Sequence, residues 1–107
     1  MSYSDHINEI ISDLNELEKR IMLILGKENI SLNKNIRLET IKKKLKDHEL
    51  RKADKAIDNL IAKGLIFRYR GKKNIGLSHP GLLVAKKIKQ NHRDSLYDGL
   101  RILIEFQ

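Results

Sequence analysis

The residues of this chain that could do chemistry are its lysines and arginines, and the chemistry is recognition of a polyanion. Of the 22 basic residues, 17 lie between positions 31 and 92 alongside only five carboxylates, a local net charge of +12. Residues 1–30 carry −3 and residues 93–107 carry −1, within a total of +8. A concentrated basic block is the electrostatic footprint of a surface that meets nucleic acid. A lysine-rich solvated surface accounts for the total but not for the segregation.

Other chemistries find no constellation. His6, His48, His79 and His92 are scattered without an i,i+4 pair, and there is no cysteine, so neither a metal site nor a disulfide is expected. Gly71-Lys72-Lys73-Asn74 reads as a turn rather than a phosphate cradle. Ser78 reads as a helix cap, since nothing marks a nearby base to activate it. The expectation is a protein that is not an enzyme and uses no cofactor. The longest apolar run, Ile21 to Leu25, is too short to span a bilayer, and the first residues show no basic segment followed by an apolar block. A cytoplasmic or nucleoid-associated chain without a membrane contact is therefore expected, and no small-molecule effector. The five aromatics, Tyr3, Phe67, Tyr69, Tyr97 and Phe106, are dispersed along the chain, which argues against a stacking platform for single strands.

The elements that must position the cations follow from hydrophobic periodicity. Ser4 or Asp5 can cap a long first helix reaching Leu25, with Gly26 as its stop. Along it Ile7, Ile10, Leu14, Leu17, Ile21 and Ile24 alternate steps of three and four, a heptad seam. Its second half enters the core; Ile7, Ile10 and Leu14 have no obvious partner in the chain and are candidate dimer contacts. After an Asn- and Ser-rich loop, Ile36-Arg37-Leu38 can form a short strand, and Leu38 to Lys46 takes helical spacing. Asp47-His48-Glu49 interrupts the pattern, Leu50 anchors the turn, and a further helix runs over 49–63 to a stop at Gly64. On that helix Ala53, Ile57, Leu60 and Ile61 share one side, while Arg51, Lys55, Asn59 and Ala62 fall opposite with Lys52 and Asp58 on the flanks. An apolar back with an Arg/Lys/Asn front suits insertion into a major groove.

Leu65, Phe67 and Tyr69 alternate with Ile66, Arg68 and Arg70, and Gly71 to Asn74 supplies a turn, so a hairpin follows with Lys72 and Lys73 at its tip. A basic tip flanked by arginines is a phosphate or minor-groove contact; lysine on an edge strand also discourages sheet-to-sheet pairing. Ser78-His-Pro-Gly then opens a helix carrying Leu82, Leu83, Ala85 and Ile88. Asn91 to Asp94 reads as a break before a last helix, whose Leu96, Leu100 and Leu103 are again candidate dimer contacts.

The run from Ala53 to Ile88 resembles the core of winged helix-turn-helix transcription regulators, including the multiple-antibiotic-resistance type and small archaeal relatives. The shared pattern is Leu-x-x-x-Gly-Leu-Ile at Leu60–Ile66, then a wing, then Leu-Ser-x-x-Gly at Leu77–Gly81. The wing here is short and lacks the acidic-arginine pair of the larger regulators. The resemblance implies one domain of mainly α class with a small β-hairpin wing, divided as 1–16 (N-terminal helix extension), 17–90 (winged-helix core) and 91–107 (C-terminal helix), the end helices serving a homodimer. It implies transcription regulation through double-stranded DNA, with Arg51, Lys52, Lys55 and Asn59 toward the major groove, Lys42, Lys43, Lys44 and Lys46 toward phosphate, and Arg68, Arg70, Lys72 and Lys73 on the wing. A protein-interaction module of a larger assembly, or a non-specific architectural DNA binder, are the alternatives.

Overall fold

The computed structural model describes residues 3–28, 31, 32, 34–69 and 73–105, with side chains described from Asp5 to Leu96 within those ranges. The chain runs α1 (Tyr3–Ser12), α2 (Glu16–Lys27), β1 (Asn35–Arg37), α3 (Leu38–Lys43), α4 (Asp47–Ala62), β2 (Ile66–Tyr69), β3 (Asn74–Leu77) and α5 (His79–Glu105). It is mainly helical, with a three-stranded antiparallel sheet in the order β1-β3-β2. No helix among the described residues is long and apolar enough to cross a membrane.

The single long first helix expected from the heptad seam is two helices. Asn15 adopts extended backbone and caps α2: its side chain accepts the Glu18 N–H at 2.8 Å, and Glu18 accepts the Asn15 N–H at 3.1 Å. This reciprocal pair satisfies donors that a helix start leaves open. The break lets α1 fold back, so Ile7 and Leu14 are buried in the chain's own core and Ile10 packs against it. Two of the three N-terminal residues expected at a subunit contact are therefore already covered within one chain, α1 packing against α5. At its other end α2 runs through Gly26 to Lys27. A side chain at Gly26 would come within 2.9 Å of the Ala85 carbonyl, so the glycine serves the α2–α5 crossing rather than stopping the helix.

Helix α3 is shorter than expected and α4 starts two residues earlier, at Asp47. Asp47 and Glu49 occupy its first turn, where the helix dipole favours anions, and the Glu49 carboxylate accepts the Lys46 N–H at 2.9 Å. The turn before it is anchored by buried Leu45, whereas Leu50 is exposed. The apolar back of α4 is buried through Ala53, Ala56, Ile57 and Leu60. Covering Ile57 and Leu60 contributes about 1.5–3 kcal/mol each, which seats the helix firmly on α2 and the sheet.

The strands alternate as expected. Ile36, Ile75, Leu77 and Ile66 face the core, and register places Arg68 in the same layer opposite Ile75. Gly64 takes a left-handed backbone (φ 75°) where α4 ends. Leu65 then presents its carbonyl to the Ser78 N–H at 3.1 Å and to the Ser78 hydroxyl at 3.0 Å. The same hydroxyl lies 2.5 Å from the Gly64 carbonyl, and it accepts the Gly81 N–H at 3.1 Å, capping α5. Helix α5 passes through Asn91–Asp94 without interruption. Asn91, His92 and Asp94 are weak helix formers, but the run includes neither proline nor glycine, so nothing in the backbone forces a stop.

Gly81 has no room for a side chain, since a Cβ there would lie 1.7 Å from the Leu65 carbonyl oxygen. Gly81→Ala should lower stability by roughly 3 kcal/mol. Gly64→Ala, where the added atom meets nothing but the backbone is left-handed, should cost roughly 1 kcal/mol. Urea unfolding of the two variants checks the order; equal midpoints would contradict the packing described.

Candidate nucleic-acid interface

Helix α4 presents its outer face to solvent, with Arg51, Lys52, Asp54, Lys55, Asp58 and Ala62 all exposed. The acidic members of that face bind cations from the neighbouring elements. Asp54 pairs with Lys42 of α3 at 2.9 Å, and Asp58 pairs with Arg68 of β2 at 3.2 Å. The Lys73 carbonyl, at the base of the hairpin turn, accepts the Leu38 N–H at 2.8 Å and ties the turn to the start of α3. These three links place α3, the outer face of α4 and β2 side by side on one surface.

The expected contact residues divide into three groups. Lys43, Lys46, Arg51, Lys52, Lys55 and Lys73 are exposed and make no ion pair among the described residues. Lys42, Lys44 and Arg68 have carboxylate partners, Lys44 bonding Glu28 on α2. Arg70 and Lys72 lie outside the described residues. A groove of about 740 Å³ runs along the other flank of α4, where Lys52 and Lys55 face Glu16 and Glu49. That flank carries mixed charge; Arg51 on the helix crest does not line it, and Lys55 borders it without an ion pair among the described residues.

Asn59, expected to reach a base edge, does something else. Its amide donates to Glu18 at 3.2 Å, and Lys63 donates to the same carboxylate at 2.9 Å. The Glu18 side chain is only 2% exposed. Burial alone would raise its pKa, but hydrogen bonds from Lys63, the Asn15 backbone and Asn59, with the charge of Lys63, outweigh it and hold the carboxyl below its ordinary value. Lys63 also donates to the Asp13 carbonyl at 3.1 Å, linking the end of α4 to the α1–α2 junction. Glu18 was invisible as a structural residue in the sequence because its partners lie more than 40 residues away; the spacing Asn15-x-x-Glu18 marks only its local capping role.

Of the remaining expected contacts, Leu96 is 58% exposed, while the side chains of Leu100 and Leu103 lie outside those described. The aromatics are less dispersed than the chain order implies. Phe67 and Tyr69 share the outer face of the sheet, their ring centroids 6.2 Å apart and tilted by 50°. No protein-family model, curated protein or solved structure matches the chain.

The depressed Glu18 pKa fixes the sign of a pH effect. Its stabilisation is fully present above the unfolded-state pKa and is lost as pH falls through the folded value. Glu18→Gln should cost roughly 2 kcal/mol near neutrality, and wild type and variant should converge in acid. Urea unfolding from pH 7 down to pH 3 checks this; a constant gap across that range would show that the charge of Glu18 contributes nothing.

Proposed function

We propose that this protein is a winged helix-turn-helix that binds double-stranded DNA with sequence preference, acting as a transcription regulator, with α3 and α4 as the helix-turn-helix, α4 as the recognition helix and β2–β3 as the wing. The observation that carries the reading is the juxtaposition of α3, the crest of α4 and β2, linked by Lys42–Asp54 and Arg68–Asp58, with Arg51 and Lys55 standing unpaired between those links. A helix whose back is locked in a core and whose crest offers arginine and lysine fits the major groove. Arginine bonds guanine O6 and N7 there in a bidentate fashion. Lys43, Lys46 and Lys73 flank it and suit phosphate, whose contacts fix register rather than sequence. Asn59 is withdrawn from the proposed contacts because its amide is engaged by Glu18. In a homodimer the two recognition helices would lie about 34 Å apart, one turn of duplex; the exposed Leu96 on α5 supports a contact through that helix.

Duplex binding measured by fluorescence anisotropy tests this. Lys43, Lys46 and Lys73 from two subunits would meet six phosphates, so affinity should fall roughly a thousandfold between 50 and 200 mM salt. Arg51→Gln combined with Lys55→Gln should weaken binding by more than about tenfold and flatten sequence preference. Salt-independent binding, or an unchanged affinity in that double variant, would favour an acidic protein partner on the same surface. A specificity ratio near one between selected and random duplexes would identify an architectural binder instead.

The ion pairs give a prediction of opposite sign. Asp54→Asn and Asp58→Asn remove two carboxylates and release Lys42 and Arg68 toward phosphate. Each should raise duplex affinity, by about threefold to tenfold at low salt, in the same anisotropy titration. Weaker binding in either variant would mean that the aspartate orients its cation for the DNA.

A further inference from the structure

The sheet carries a second surface that the duplex reading leaves unused. Its inner layer is Ile36, Ile75, Leu77, Ile66 and Arg68; the register puts Asn35, Arg37, Asn74, Gly76, Phe67 and Tyr69 together on the outer layer. They form two rows across the strands, Asn35–Gly76–Phe67 and Arg37–Asn74–Tyr69. Phe67 and Tyr69 are 38% and 39% exposed, a large apolar area for two adjacent rings on a small sheet.

Phe67 is held in place by a specific accommodation. A Cβ at Gly76 would lie 2.6 Å from the tip of the Phe67 ring, so the ring lies across the glycine. A side chain at 76 would displace it. The outer face thus keeps one ring seated over Gly76 and a second one strand-repeat further along, toward the basic turn at Lys73.

We infer that this outer face binds unpaired bases of single-stranded DNA, with Phe67 and Tyr69 as stacking partners and Arg37 meeting the backbone. The argument is complementarity. The six outward positions hold two aromatics, two amides, one guanidinium and one glycine, and no carboxylate. Aromatic faces stack on any base, amides bond base edges, and cations meet the phosphates, which is the chemistry of single-strand recognition on a sheet. A protein partner or a second copy of the chain would meet the same rings, but it gives no reason for the polar residues at the outward strand positions to be amides and a cation. The choice of DNA over RNA rests on the duplex reading above: a strand opened beside a bound duplex would be DNA. The surface is separate from the α4 crest, so the two readings fail independently.

The test is anisotropy and tyrosine emission with a fluorescein-labelled oligothymidylate of about 12 nucleotides, the matching oligouridylate, and a duplex, each titrated with the full chain. The chain has three tyrosines and no tryptophan, so stacking on Tyr69 is read as partial quenching of tyrosine emission. Wild type should bind the thymidylate, and Tyr69→Ala should weaken it by about tenfold and remove the quenching. Tyr69→Phe should keep the affinity, and Phe67→Leu provides a second variant at the neighbouring position. The Arg51→Gln, Lys55→Gln double variant should lose duplex and retain single strand. Absence of single-strand binding in wild type, or affinity unchanged in Tyr69→Ala, overturns the inference while leaving duplex binding standing. Tighter binding to the uridylate overturns the assignment to DNA. Tyr69-dependent binding of thymidylate with no duplex binding keeps the inference and removes the duplex reading.

Discussion

Three groups converge on the carbonyl oxygen of Leu65: the N–H of Ser78, the hydroxyl of Ser78 and the bare Cα of Gly81. The hairpin and α5 take their relative orientation from this clasp. It fixes where the hairpin leaves α4, because Gly64 turns the chain in a left-handed step just before it. It also fixes where α5 begins, because Ser78 caps that helix while bonding back to Leu65. The two sequence signatures on which the family resemblance rests, one around Gly64 and one around Ser78–Gly81, are therefore the two halves of a single joint.

A second constraint acts at the same end of α4, on its α2 side. The Glu18 carboxylate, buried between α2 and α4, receives donors from the Asn15 backbone, Asn59 and Lys63. A buried carboxylate is tolerated only when its lone pairs are met, so its three donors are held in place by the need to satisfy it. The helix is thus secured at its C-terminal half by a polar clamp and along its back by apolar packing. What remains free to meet a partner is its crest.

Much of this architecture was legible in the chain because it depends on local pattern. Alternation from Leu65 to Tyr69, the spacing of Ala53, Ile57 and Leu60, and the cap at Ser78 each signal an element directly. The seam from Ile7 to Ile24 misled because it stays in phase across the α1–α2 break, although Asn15-x-x-Glu18 is itself a helix-start signature. The run at Asn91–Asp94 misled in the opposite sense: weak helix formers inside a long helix look like a boundary. The roles of Asn59, Asp54 and Asp58 were not legible, since each is decided by a side chain from another element. For the aromatics the period of the strand held the answer. Phe67 and Tyr69 are two residues apart, and two residues apart on a strand means one face.

The pairs Lys42–Asp54 and Arg68–Asp58 have a consequence for how any polyanion would arrive. Each aspartate cancels part of the long-range field, so diffusional steering toward this flank is weaker than the count of lysines and arginines implies. Each also holds a cation that would have to leave its carboxylate before meeting a phosphate. A polyanion would therefore gain less from long-range attraction at this flank than from close fit to it.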